Sequence, residues 1–384
     1  MLDICYEPSE KLLFDIIQER CLMRCDKDHN IIPESSRDRR NFIKSFAAGA
    51  AGLAASGPLF SGITRALPAV PERSDVAFTT GTDRREMMAQ VLKPFEKEIR
   101  EGMRGRQVVL KVNLVGPDLL SGVHVDAVRG VLDVIAPLYG KRIIVGDSTG
   151  RTYPGPMGTW KHFDIHKYLS LPDEYNVKLL DLNDRPSSLH WIVGQNCRPQ
   201  AVRIIDTFLD PDVYLISLTR LKTHGDVVAT LSTKNIMMGA PISHYKQKKA
   251  AGRNEKSFMH SGGVKNINFN IFLLAQKIRP QLSIVDGLVG MEGNGPTLGT
   301  SVEHGIALAG LDMLAVDRIG VELMGIDFDD VGYLTYCAQA GLGQSDISKI
   351  RILGPGISSH VRKYKLHENI EWQLTWKDGL AIDR

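Results

Sequence analysis

The chain has 384 residues, 43% of them hydrophobic and 24% charged, with a formal net charge of +3 at pH 7. That is enough apolar material for one large α/β domain, and it excludes a disordered chain. The slight charge, with no Lys/Arg run interleaved with aromatics, argues against nucleic acid as a partner and leaves a small anionic ligand open.

Taken in order, residues 1–69 read as a leader. Arg39-Arg40-Asn41-Phe42-Ile43-Lys44 precedes a weakly apolar, Ala- and Gly-rich run from Phe46 to Ile63. This is the pattern of a twin-arginine export signal, with the twin-arginine export machinery as the implied partner and a periplasmic or otherwise extracytoplasmic destination. Met23 is a more usual start for such a leader than Met1, and cleavage is expected after Ala69. Gly49, Gly52, Gly57 and Pro58 interrupt the run, which disfavours a membrane span and leaves an uncleaved anchor as the alternative. Cys5, Cys21 and Cys25 fall in this leader, so only Cys197 and Cys337 remain in the body, too few for a zinc or iron–sulfur framework.

From 70 to 355 the pattern alternates strand with helix and predicts a single domain. Strands are expected over 108–115, 142–147, 177–182, 201–205 and 213–218. Helical spacing marks 126–140, 230–238, 267–279 and 311–324. The apolar run 282–285 is expected to stop at Asp286-Gly287 and give way to a long glycine-rich loop reaching Gly299, before another strand at 305–308. Continuous apolar strands separated by helices imply an α/β fold of three layers, a mostly parallel sheet with helices on both faces. Residues 356–384 read as an extension whose polar end, with Trp372 and Trp376, is expected to form a short hairpin or another ordered appendage.

In such a sheet ligands collect at the carboxyl ends of the strands. That rule singles out Lys111 and Asn113, Asp147 and Ser148, Lys222 and His224, and the Asp286–Gly299 stretch. The segment from Thr219 to Ala240 is dense in polar groups, with Lys222, His224, Lys234 and Asn235 among them, and lysines beside hydroxyls and amides suit a phosphate or carboxylate. Gly293 and Gly295 are read as a tight turn offering backbone amides to a ligand. The strand that follows this glycine-rich turn rules out a dinucleotide fingerprint, which needs a helix there. His162 and His166 are four apart, the spacing of a two-histidine metal site, but lack the usual glutamate and are assigned a surface or capping role. Asp312 is expected to cap a helix, with Asp317 about 140° around it.

The spaced set KVN (111–113), GDS (146–148), LKTH (221–224), TLSTKNIMMG (230–239), His260, VDGLVGMEGNGPTLG (285–299) and LDMLAVD (311–317) resembles domain-of-unknown-function family 362 over roughly residues 108–325. Members of that family are often labelled iron–sulfur proteins on the strength of ferredoxin-like cysteine clusters. This chain has no such cluster, so that part of the resemblance does not carry over.

His224, His260, Asp286 and Glu292 form the strongest constellation. They suit a divalent metal such as zinc, iron or manganese, and Lys222, His224, Asp286 and Glu292 equally suit acid and base work around a bound substrate. Three readings follow: an exported, metal- or cofactor-assisted enzyme acting on a small anion, a periplasmic binding protein using the same cleft without turnover, and an accessory subunit that docks on a redox partner protein.

Overall fold

A computed structural model describes residues 70–150, 158–243 and 254–378, so the expected leader lies outside the described residues. A nine-stranded sheet runs through the domain. In chain order its strands are β1 (Ser74–Thr80), β2 (Gln107–Lys111), β3 (Ile143–Asp147), β4 (Val177–Asp181), β7 (Val213–His224), β8 (Val228–Thr230), β9 (Leu282–Glu292), β10 (Thr300–Gly310) and β11 (Ile350–Leu353). In space they lie in the order β11-β1-β10-β9-β7-β2-β3-β4, with β8 on β7. β9, β7, β2, β3 and β4 are mutually parallel, and β10 is antiparallel to both β9 and β1. The remaining strands, β5 (Ser187–Val193) and β6 (Pro199–Ile205), pair as a separate antiparallel ribbon.

Alternation along the central strands explains why they read as unbroken apolar runs. Val108, Leu110, Ile216, Leu218 and Ile284 face one core, under helices α1 (Arg84–Leu92), α2 (Glu96–Met103) and α3 (Val125–Tyr139). Val109, Leu215, Leu221 and Val285 face the other. There α6 (Ser232–Gly239), α7 (Gly263–Ala275), α8 (Met313–Leu323) and α9 (Gly332–Gln339) complete the third layer. Both faces are dry, as a parallel sheet requires. The short helices α4 (Thr159–Ile165) and α5 (Leu171–Glu174) lie between β3 and β4.

One expectation fails here and another is narrowed. The long glycine-rich loop is mostly strand, because β9 runs through Asp286 to Glu292 and pairs with β10 as a hairpin whose turn spans only 293–299. Glycines at 287 and 290 are compatible with this strand because neighbours crowd it: a Cβ at Gly290 would strike the Tyr364 hydroxyl. Of the two forms expected for the C-terminal extension, the described residues take the ordered appendage and not the hairpin. It carries the short helix α10 (Ile370–Leu374), in which buried Gln373 accepts a hydrogen bond from the Val228 backbone N–H at 2.6 Å.

Asp312 caps α8, accepting from Leu314 N at 3.0 Å and Ala315 N at 3.2 Å, as its sequence position indicates. Asp317, inside that helix, points away to another. Its oxygens accept from Ser232 N and Thr233 N, each at 2.8 Å, and so cap α6, whose own N-cap Leu231 has no side chain able to do so. Burial pushes the Asp317 carboxyl up to about 7 against the pull of these bonds. Asp317→Ala leaves two buried N–H groups without an acceptor, and denaturant unfolding is expected to show a loss of about 1–3 kcal/mol. Asp317→Asn, which keeps one acceptor oxygen, is expected to lose less; equal stability of all three proteins would show that the cap is inert.

Candidate functional site

β7 carries the site. All twelve of its residues are buried, including Arg220, Lys222 and His224 near its carboxyl end. Neighbouring strands and α6 bring Lys111, Asn113, Asp147, Ser148, Lys234 and Asn235 to the same region, as the strand-end rule anticipates. The structure sorts these residues into two groups, those satisfied within the protein and those left wanting.

Lys111, Asp147, Ser148 and Asn235 are satisfied. The Lys111 ammonium lies 2.6 Å from Asp147 Oδ1 and donates to Asn235 Oδ1 at 2.9 Å. Asp147 also accepts from Leu114 N and Ser148 N, both at 2.7 Å. Burial lowers the Lys111 pKa and the Asp147 charge opposes that. Asn235 donates to Ser217 Oγ at 3.0 Å, and Ser148 Oγ donates to the Gly239 carbonyl. Lys256, not singled out from sequence, closes the end of α6 by donating to the carbonyls of Met238 (3.0 Å) and Gly239 (2.9 Å). These groups tie β2, β3 and α6 together and act as scaffold.

Lys222 is different. It is fully buried, and its ammonium donates to the Ser121 carbonyl at 2.7 Å, with no carboxylate within ion-pair distance among the described residues. Burial drives its pKa far below the usual lysine value, and the charges of Lys234 and Arg220 push the same way. Lys234, 8% exposed, is brought down to about 8 by burial, with Asp226 opposing and Lys111 assisting. Around them buried polar atoms have no hydrogen-bond partner among the described residues: Asn113 Oδ1, Thr230 Oγ1 and Arg220 Nε. Thr230 stands directly across the β7–β8 pair from Lys222, so the two side chains leave the ribbon on one face.

His224 is buried beside this cluster, and it lines a cleft of about 430 Å³ with Asp226, the 294–298 turn and His367. Burial holds it neutral, reinforced by Lys234 and opposed by Asp226. Its Nδ1 accepts from the Asp226 backbone N–H at 3.0 Å, so in the neutral ring the proton sits on Nε2. Asp226 Oδ2 is 3.4 Å from Nδ1 of His260, whose side chain is 41% exposed. Burial works against ionisation of Asp226, but the His260 hydrogen bond, with the Lys234 charge assisting, outweighs it and holds the carboxyl below the ordinary carboxylate range. The three residues run from solvent toward the buried cluster, with Asp226 Oδ2 3.9 Å from His224 Nδ1, and Asp226 is the member that spacing alone does not reveal.

The expected metal set does not assemble. Asp286 is buried and held by Arg84, whose Nε lies 2.9 Å from Oδ2 and 3.1 Å from Oδ1. Glu292 accepts from the Lys365 backbone N–H at 2.9 Å and does not line the His224 cleft. No group of three or more His, Cys, Asp or Glu among the described residues is arranged to hold a metal ion. A ligating histidine normally donates from its other ring nitrogen, whereas His224 accepts there. Asp286 and Glu292 are therefore structural, and the acidic half of the expected cleft is replaced by Asp226.

The glycine turn is also corrected. Gly293 N donates to Lys365 O at 2.6 Å and Gly295 N to Gly293 O at 2.8 Å, so neither amide is offered to a ligand. Gly293 adopts φ +73°, and a Cβ at Gly295 would collide with the Thr223 carbonyl. His162 and His166 are buried rather than on the surface, stacked with ring centroids 6.2 Å apart. Burial lowers His166 to about 4, with His162, Arg220 and Lys222 contributing to that shift. They wall the cluster from the side of α4.

Residues 108–322 match the family model described as Domain of unknown function (DUF362), more than half of the chain. The chain belongs to this family. The matched segment contains every residue of the basic cluster and of the His224–Asp226–His260 chain. A thylakoid-associated protein of Synechocystis sp. is 31% identical over 145 residues, 37% of this chain. The match spans about two fifths (41%) of that relative's length. Among the described residues, no helix is long and apolar enough to cross a membrane.

The buried cluster makes a stability prediction. A lysine whose folded pKa is depressed costs nothing above its unfolded value near 10.5, and the cost grows as pH falls below that value until the folded pKa is reached. Lys222→Met is expected to be more stable than the natural protein by about 1–3 kcal/mol at pH 7. Thermal melts should show the gap closing as pH is raised toward 10; a variant that melts lower at pH 7 contradicts an uncompensated buried amine.

Proposed function

We propose that the protein is an exported enzyme acting on a small anionic substrate held at the carboxyl end of β7. The observation that carries this reading is Lys222, buried with no carboxylate at ion-pair distance among the described residues and surrounded by Lys234, Arg220 and Lys111. Buried charge is normally paired. Here cations exceed the carboxylates available to them, and an anionic ligand supplies the missing charge. The Arg39-Arg40 leader supports export.

In this reading Lys234 holds the substrate's carboxylate or phosphate, with Lys222 beside it. Asn113 Oδ1 and Thr230 Oγ1, buried and without a partner among the described residues, bind its other polar groups. His224 presents Nε2–H as a neutral acid, its ring held by the Asp226 backbone N–H, and Asp226 is itself paired with His260. Catalysis, rather than storage of a ligand, is favoured by the Nε2–H donor of His224, which binding alone does not need.

Calorimetry with phosphate, oxalate and 2-oxoglutarate tests the reading. An anion raises the depressed lysine pKa values, so binding takes up protons and its measured heat changes with the ionisation heat of the buffer. Affinity is expected to rise as pH falls through about 8, where Lys234 titrates. Lys234→Gln should weaken binding by about tenfold or more. Absence of binding by all three probes, or binding indifferent to pH and to Lys234, contradicts the proposal.

A further inference from the structure

Lys222 is the one lysine of the cluster that combines complete burial, a single carbonyl partner and no nearby counter-ion among the described residues. Lys111, on the neighbouring strand, has the Asp147 carboxylate at 2.6 Å. An amine desolvated next to other cations keeps a free lone pair at neutral pH, and that is the state required of a lysine nucleophile. Its surroundings fit the same role: Lys234 and Arg220 are close enough to act on it electrostatically. Thr230 offers from the facing strand position a hydroxyl without a partner among the described residues, and His224, two residues along β7, carries its proton on Nε2.

We propose that Lys222 Nζ forms an imine with a carbonyl compound that also bears a carboxylate, a 2-oxo acid in the simplest case. This inference rests on the anionic-substrate reading and names its class. The Nζ lone pair attacks the carbonyl carbon, forming a C–N bond as the C=O π pair moves to oxygen. His224 Nε2 gives its proton to that oxygen and recovers one from nitrogen. The hydroxyl then leaves with the remaining amine proton as water, and a neutral C=N bond stays behind. No oxidant or reductant is consumed. Lys234 is placed to hold the substrate carboxylate, and the hydroxyl of Thr230 to steady the departing oxygen.

The test is reductive trapping on the full chain. The protein is incubated with glyoxylate, pyruvate or 2-oxoglutarate and sodium cyanoborohydride, then analysed by intact mass and peptide mapping. The expected result is one addition per chain, equal to the acid less one oxygen atom, on Lys222. Lys222→Met and Lys222→Arg, each checked for folding by its thermal melt, should lose it, and Lys234→Gln should trap at least about tenfold more slowly. Oxalate, which binds without a ketone or aldehyde carbonyl, should protect Lys222 from trapping. Labels spread over exposed lysines, alike in the natural chain and both Lys222 variants, overturn the imine. If oxalate binds in a Lys222-dependent way while no 2-oxo acid is trapped, the imine fails and the anion site stands. If neither binding nor trapping occurs, both fail.

Discussion

Everything at the centre of this protein follows from burying all twelve residues of β7. Its first half meets that demand with apolar side chains on both faces. Its second half places Arg220, Lys222 and His224 out of reach of water, where an ionised group needs a partner or gives up its charge. Arg220 has the carbonyl of Val289 at 3.1 Å and the field of Asp286. His224 has the Asp226 backbone. Lys222 has a single carbonyl, and the surrounding lysines make its position less favourable still.

That deficit stands out because the adjoining polar groups are so fully matched. The Lys111–Asp147–Asn235 network and the Lys256 clamp use nearly every donor and acceptor they possess, and they join β2, β3 and both ends of α6 into a rigid frame. Asp317 completes it by occupying the amino end of α6. A helix start that could otherwise receive an anion is already filled by the protein's own carboxylate. Selectivity for a ligand is thereby moved from the helix terminus to the lysines, a few residues away. Natural proteins retain an uncompensated buried amine of this kind where function requires it and stability suffers.

The layered α/β architecture is legible because parallel strands buried on both faces leave long apolar runs, and the rule that ligands gather at strand ends points to Lys111, Asn113, Asp147, Ser148, Lys222 and His224, which the fold places in one region. What stayed hidden depended on distant partners. Asp286 looked available until Arg84, 202 positions earlier in the chain, was seen to hold it. Glu292 looked catalytic until the C-terminal extension proved to be hydrogen-bonded to it. The glycines of β9 suggested a loop because nothing local reports the side chains that crowd them. Asp226 went unnoticed although it lies two residues beyond His224; its role comes from His260, which approaches from another segment. The stacked His162 and His166 show the same limit, since the spacing was visible and the burial was not.

The central claim is that Lys222 sits uncharged in the free protein and becomes compensated when an anion binds. The most direct measurement is NMR of lysine side chains labelled at Nζ, with the Lys222 resonance assigned by its loss in Lys222→Arg and titrated with and without a saturating small carboxylate. The expected result is a midpoint well below 10.5 in the free protein that moves upward on saturation. A free-protein midpoint near 10.5, unmoved by the carboxylate, would contradict it.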